Sequence, residues 1–98
     1  LFLYQNQIPF RYECKLCLDN LVLYPDFTIM HPETGEIFYW EHLGMMDDPE
    51  YAEKAVRKIS SYQQNGIFPG EQLILTYESK NHPLNQKEIT KLIEKYMK

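Results

Sequence analysis

The chain has 98 residues, of which 44% are hydrophobic and 14% aromatic, and a net charge of −4. That length supports one small domain, and that composition fills a core, which excludes a disordered segment. The charge balance gives no overall basic footprint for nucleic acid, and no apolar run approaches the roughly 20 residues that a membrane helix needs.

The chain begins Leu1-Phe2-Leu3-Tyr4, with no initiator Met and no visible signal peptide. We read residues 1–98 as a single domain excised from a longer protein, and residues 1–7 as the last turns of a helix that starts upstream. Ile8-Pro9 marks a break. Phe10 to Leu18 alternates, with Phe10, Tyr12, Cys14, Leu16 and Leu18 on one side, which predicts a strand with one buried face. Asp19-Asn20 is a turn signal. Leu21 to Met30 reads as a second strand, apolar on both faces as a central strand would be, with Pro25 costing one ladder hydrogen bond. Ile37 to Leu43 is a third strand, ended by Gly44.

Asp48-Pro49-Glu50 opens a helix: an N-cap, a proline suited to the first helical position, and an acid at the positive end of the dipole. Ala52, Ala55, Val56, Ile59 and Tyr62 recur at helical spacing as its buried stripe, and Asn65-Gly66 closes it. Glu71 to Tyr77 is a fourth strand. Asn85 caps a last helix through about Tyr96, with Ile89, Leu92, Ile93 and Tyr96 as its stripe. The fold class is α/β (α+β): a mixed four-stranded sheet flanked by helices, in the order β-β-β-α-β-α, preceded by the truncated helix.

Cys14 and Cys17 form a lone CxxC, which lacks the two further ligands of a structural zinc site. Residues three apart on a strand diverge. They read as two small buried apolar residues in a reducing, cytoplasmic compartment.

Two acids stand inside the second and third strands. Tyr24-Pro25-Asp26-Phe27-Thr28-Ile29 and Tyr39-Trp40-Glu41-His42-Leu43-Gly44 flank the turn His31-Pro32-Glu33-Thr34-Gly35-Glu36. If Pro32 faces Gly35, Asp26 faces Glu41, and both side chains leave the same face. Like charges so placed destabilise a sheet unless something positive lies between them, and a divalent metal is the usual candidate. Asp26 has an alternative as a turn cap or a partner of Arg11 or Lys15.

A Pro-Asp on a second strand, a Glu on a third, then a helix and a fourth strand resembles the PD-(D/E)xK nuclease superfamily, over roughly residues 8–77. The resemblance implies a restriction-endonuclease-like fold with the core order α-β-β-β-α-β. It implies Mg²⁺ or Mn²⁺ held by Asp26 and Glu41, with a further ligand from the main-chain carbonyl of His42. The implied activity is metal-dependent hydrolysis of phosphodiester bonds, with DNA as the partner. The family's lysine, two residues beyond the Glu, is replaced here by Leu43. Either the domain is a degenerate module that binds nucleic acid or protein, or another residue supplies the cation, as in members that carry it on the following helix.

On that helix Tyr51, Lys54, Lys58 and Tyr62 fall along one flank of the stripe. Lys58 is the first candidate and Lys54 the second, and Lys58-x-x-x-Tyr62 is similar to a helix motif of some exonuclease members. The alternative for Lys58 is a snorkelling surface lysine. The His42 side chain points away from Glu41 and is as readily structural as functional, assisting catalysis if the strand twists at Gly44. Grouping His42 with Asp26 and Glu41 as a transition-metal site is disfavoured by that same divergence. Glu13, on the first strand, is an accessory metal-ligand candidate or a solvated acid, and Glu78 reads as plain surface.

Overall fold

The computed structural model describes residues 7–97, so the helical turns expected over 1–7 lie almost wholly outside them. In chain order the elements are β1 (Phe10–Tyr12), β2 (Leu16–Leu18), β3 (Leu21–Leu23), β4 (Phe27–Met30), β5 (Ile37–Leu43), α1 (Pro49–Gln64), β6 (Leu73–Tyr77) and α2 (Gln86–Met97). Four strands form one sheet in the order β1-β4-β5-β6, and β2 and β3 form a separate hairpin. The β1–β4 and β4–β5 pairs are antiparallel, and β6 returns through α1 to lie parallel to β5. The expected mixed α+β architecture is present: a four-stranded mixed sheet and two helices.

The turn between β4 and β5 sets the register that carries the site. His31 N donates to Glu36 O at 2.8 Å and Gly35 N to His31 O at 3.0 Å, while Gly35 takes φ +76, a conformation open to glycine. The His31 ring accepts from the amides of Glu33 and Thr34. Phe27 then pairs with Trp40 and Met30 with Ile37, the register expected from the sequence.

Alternation along β5 divides the sheet into two faces. Phe38 and Trp40 join Ile29, Ile74, Ile93 and Met97 in one core, so α2 covers that face. Ile29 has no exposed surface, and such burial contributes about 1.5–3 kcal/mol per large side chain. Tyr39 and Glu41 face the other way, where the Tyr62 ring of α1 stacks on Tyr39 at 6.4 Å between centroids. The caps form as expected. Asp48 accepts from the amides of Glu50 and Tyr51, and Asn85 Oδ1 from Glu88 N at 3.0 Å.

Four sequence expectations are corrected. The run from Phe10 to Leu18 is two strands, because Glu13 adopts φ +50 and turns the chain out of the sheet. The run from Leu21 to Met30 is also two. Tyr24, Pro25 and Asp26 are not in the ladder, so Pro25, which has no N–H to give, sits fully buried at a break. Of β3 and β4, only β4 lies in the interior of the four-stranded sheet; Leu21 and Val22 on β3 are exposed. Val56 is 58% exposed and lies outside the packed side of α1, which is centred on Ala55 and Tyr62. Cys17 is exposed and Cys14 half-buried, so neither is the buried apolar residue expected, although both are free thiols.

These assignments predict a contrast in equilibrium unfolding. Ile29→Ala should lose about 2–5 kcal/mol through the cavity it leaves. Val56→Ala should change stability by no more than about 0.5 kcal/mol, whereas a buried valine there would cost several times that.

Candidate functional site

The site lies where β4 ends and β5 continues. Tyr39 N donates to Gln72 O and Leu43 O accepts from Glu78 N, so these β5 residues direct their main-chain groups to the β6 side. His42, between them in the alternation, directs its own to the β4 side, where the chain has already bent away at Pro25. Two side chains replace the missing strand. Asp26 Oδ2 accepts from His42 N at 2.7 Å, and the Tyr51 hydroxyl lies 3.4 Å from His42 O while accepting from Gly44 N at 3.1 Å.

Glu41 is 3% exposed and both of its oxygens are engaged. Tyr62 donates its hydroxyl proton to Oε2 at 2.5 Å, and Lys58 Nζ donates to Oε1 at 2.9 Å. Lys58 also donates to Tyr24 O at 3.2 Å, which ties α1 to the bend before Asp26. Burial is the largest influence on Glu41 and pushes its carboxyl above the ordinary range. The hydrogen bonds from Tyr62 and Lys58 and the lysine's charge pull it back, while the charge of Asp26 adds to the rise. Tyr62 is pushed far up by burial and by its bond to Glu41, so it remains a proton donor.

Asp26, Glu41, His42, Leu43, Tyr51, Lys54, Ala55 and Lys58 line a cleft of about 190 Å³. The structure therefore brings together Asp26, Glu41, Lys58 and Lys54, along with the main chain of His42. It does not bring in the His42 ring, which lies on the α2 face. There Nδ1 is 2.7 Å from Thr76 Oγ1 and Nε2 is 2.7 Å from Glu78 Oε1. Nor does it bring in the Glu13 side chain, which is exposed and absent from the cleft lining. Among the described residues no cluster of three or more His, Cys, Asp or Glu side chains could hold a metal ion. The donors offered to a cation are two carboxylates and one main-chain carbonyl, a hard oxygen set of the kind Mg²⁺ and Mn²⁺ take.

Sequence reasoning sets Tyr51 and Tyr62 on the flank beside Lys58 without giving either a bond, and it misses Glu78. Tyr62 is both a core residue and a hydrogen-bond donor to the buried acid. Tyr51 supports the His42 main chain. Glu78 is half-buried rather than plain surface; its carboxyl is held below the usual range by the His42 hydrogen bond, with a further bond from Leu84 N. The usable signal for Tyr51, Lys58 and Tyr62 is their spacing along one line of the helix.

The chain matches no family model, no curated protein and no solved structure. No helix among the described residues is long and apolar enough to cross a membrane.

The raised carboxyl of Glu41 makes a stability prediction. Its folded form holds the proton more tightly than the unfolded chain, so folding is penalised progressively as pH rises through the shifted value. Glu41→Gln can still accept from Lys58 and donate to Tyr62. It should melt a few degrees above the wild type at neutral pH, corresponding to about 0.5–1 kcal/mol in a domain of this size, and the gap should close as acid protonates the wild-type carboxyl. A variant that melts lower at neutral pH would mean that the ion pair outweighs the burial.

Proposed function

We propose that this chain is a PD-(D/E)xK-type nuclease domain of restriction-endonuclease-like fold, hydrolysing phosphodiester bonds of DNA with Mg²⁺ or Mn²⁺. The observation that carries the reading is the position of Lys58. Its ammonium lies 2.9 Å from Glu41, in the cleft that Asp26 also lines, although it comes from α1 rather than from the strand position occupied by Leu43. The two free cysteines suit a reducing cytoplasmic setting.

Asp26, Glu41 and the His42 carbonyl would hold the cation. A divalent cation bound there supplies Lewis-acid polarisation of a phosphoryl oxygen and a nucleophilic water near neutral pH. The remaining chemistry belongs to the protein. Asp26 is oriented by the His42 amide, so its carboxylate presents one fixed face to the cleft. Tyr62 stays protonated and donates to Oε2 of Glu41, while Lys58 Nζ lies 2.9 Å from both carboxylate oxygens. Lys58, whose ammonium lies at the cleft, would be able to orient a water or meet the charge that develops on the phosphate were the carboxylates engaged by a cation. Lys54, exposed at the cleft, can pair with a neighbouring phosphate, and Arg57 extends the basic edge of α1.

A second reading is a degenerate module of the same fold that binds nucleic acid or protein. One observation favours it: Lys58 and Tyr62 already satisfy Glu41, so the buried acid is neutralised without a metal.

Calorimetric titration with Mn²⁺ separates the two readings. The wild type should bind at one saturable site in the millimolar range or tighter, and an Asp26→Ala, Glu41→Ala double variant shown to be folded should not. Lys58→Ala should bind at least as tightly as wild type, since it removes the competing cation, while DNA hydrolysis falls by about 10²-fold or more. Absence of binding in the wild type would leave the degenerate module as the function.

A further inference from the structure

On the face opposite the cleft, a chain of hydrogen bonds runs through the His42 ring. Trp40 Nε1–H donates to Thr76 Oγ1 at 3.0 Å; Thr76 Oγ1 lies 2.7 Å from His42 Nδ1; His42 Nε2 lies 2.7 Å from Glu78 Oε1; and Leu84 N donates to Glu78 Oε2 at 3.1 Å. Only one arrangement of protons satisfies every group with a neutral ring. A carboxylate can only accept, so Nε2 carries the proton and gives it to Glu78. Nδ1 is then an acceptor, and the Thr76 hydroxyl, which already accepts from Trp40, donates to it. Among the described residues no buried side-chain donor or acceptor lacks a partner, consistent with a closed chain.

The ring so fixed belongs to the residue whose main chain builds the other face. His42 N–H holds Asp26 Oδ2 at 2.7 Å, and His42 O is met by the Tyr51 hydroxyl. The register explains how the two connect. His42 pairs with Thr76 in the parallel β5–β6 ladder, and Glu78 N donates to Leu43 O at 2.8 Å just beyond it. Thr76 and Glu78 are two residues apart and so reach the same face, bracketing the ring from both nitrogens.

We propose that Thr76 and Glu78 are positioning residues for the candidate site: by clamping the His42 ring they fix the His42 amide and carbonyl, and through the amide they fix Asp26. This deepens the nuclease reading and rests on it only for its effect on metal binding. Glu78 does not itself line the cleft, and its side chain reaches that lining through the His42 ring, while its main-chain bond to Leu43 O is kept in every side-chain variant. The clamp also gives the His42 side chain a role distinct from the catalytic assistance weighed for it beside Glu41.

The test uses Glu78→Ala, Glu78→Gln and Thr76→Ser, each checked for a melting temperature within a few degrees of wild type. Nitrogen-15 NMR of the wild type at mildly alkaline pH should show His42 protonated at Nε2 and bare at Nδ1. The His42 amide proton should resonate downfield, as expected for a charge-assisted bond to a carboxylate. Glu78→Ala should lose the fixed tautomer, move that amide upfield and speed its exchange with solvent about tenfold. Thr76→Ser, which keeps the hydroxyl, and Glu78→Gln, which keeps one acceptor oxygen for Nε2–H while losing the one that takes Leu84 N, should retain all three as in the wild type. In the metal arm, Mn²⁺ affinity should fall by about 10-fold or more in Glu78→Ala and recover in Glu78→Gln, the size of effect seen when groups behind a metal ligand are removed. A His42 amide unchanged in Glu78→Ala overturns the proposal. If the wild type binds no Mn²⁺, the nuclease reading fails, and the NMR arm decides the positioning claim by itself.

Discussion

A carboxylate with almost no contact with water, Glu41, has to be met by donors, and α1 supplies both of them. Removing a charged group from solvent is tolerated only where it is paired and hydrogen-bonded. This requirement explains why α1 packs as it does. Its sheet-facing line runs through Tyr51, Ala55, Lys58 and Tyr62, so a lysine occupies a position that a purely apolar stripe would give to a leucine or an isoleucine. The raised carboxyl of Glu41 marks a site not optimised for stability, and perturbed buried acids in clefts gather where chemistry is done.

The second constraint is the break at Pro25. A proline has no N–H for the ladder, and β4 begins only after Asp26. The main-chain groups of His42 on that side would otherwise stand open. Asp26 and Tyr51 close them, and in doing so carry a second carboxylate to within electrostatic reach of Glu41. The fork in the sheet therefore brings the two acids together, and Lys58 bridges it by bonding both Glu41 and the Tyr24 carbonyl.

Much of this was legible in the sequence because it rests on local rules. The turn with Gly35 fixed the β4–β5 register from Met30–Ile37 to Phe27–Trp40, although the Asp26–Glu41 pairing expected by extending that register is interrupted at Pro25. Asp48 and Asn85 marked both helix starts. What the sequence hid rests on longer-range facts. The alternation from Phe10 to Leu18 looked continuous because nothing in the pattern announces the positive φ of Glu13. Pro25 reads as a defect within a strand, whereas it marks the strand's end. Val56 reads as core on apolar spacing alone, whereas the packed line of α1 includes a lysine. Glu78 looked like surface because only the parallel register of β6 against β5, set across the whole of α1, brings it to His42.

The most direct test of the central claim, that Asp26 and Glu41 share a divalent cation for which Lys58 stands in, is to locate the cation. Paramagnetic broadening of the amide spectrum by substoichiometric Mn²⁺ would do so. The prediction is loss of signal centred on Asp26, Glu41 and His42 and spreading to Tyr51, Lys54 and Lys58, with the exposed turn acids Glu33 and Glu36 unaffected. Broadening centred on those exposed acids, or none at millimolar Mn²⁺, would contradict the metal site and leave Glu41 as a buried acid paired only with Lys58 and Tyr62.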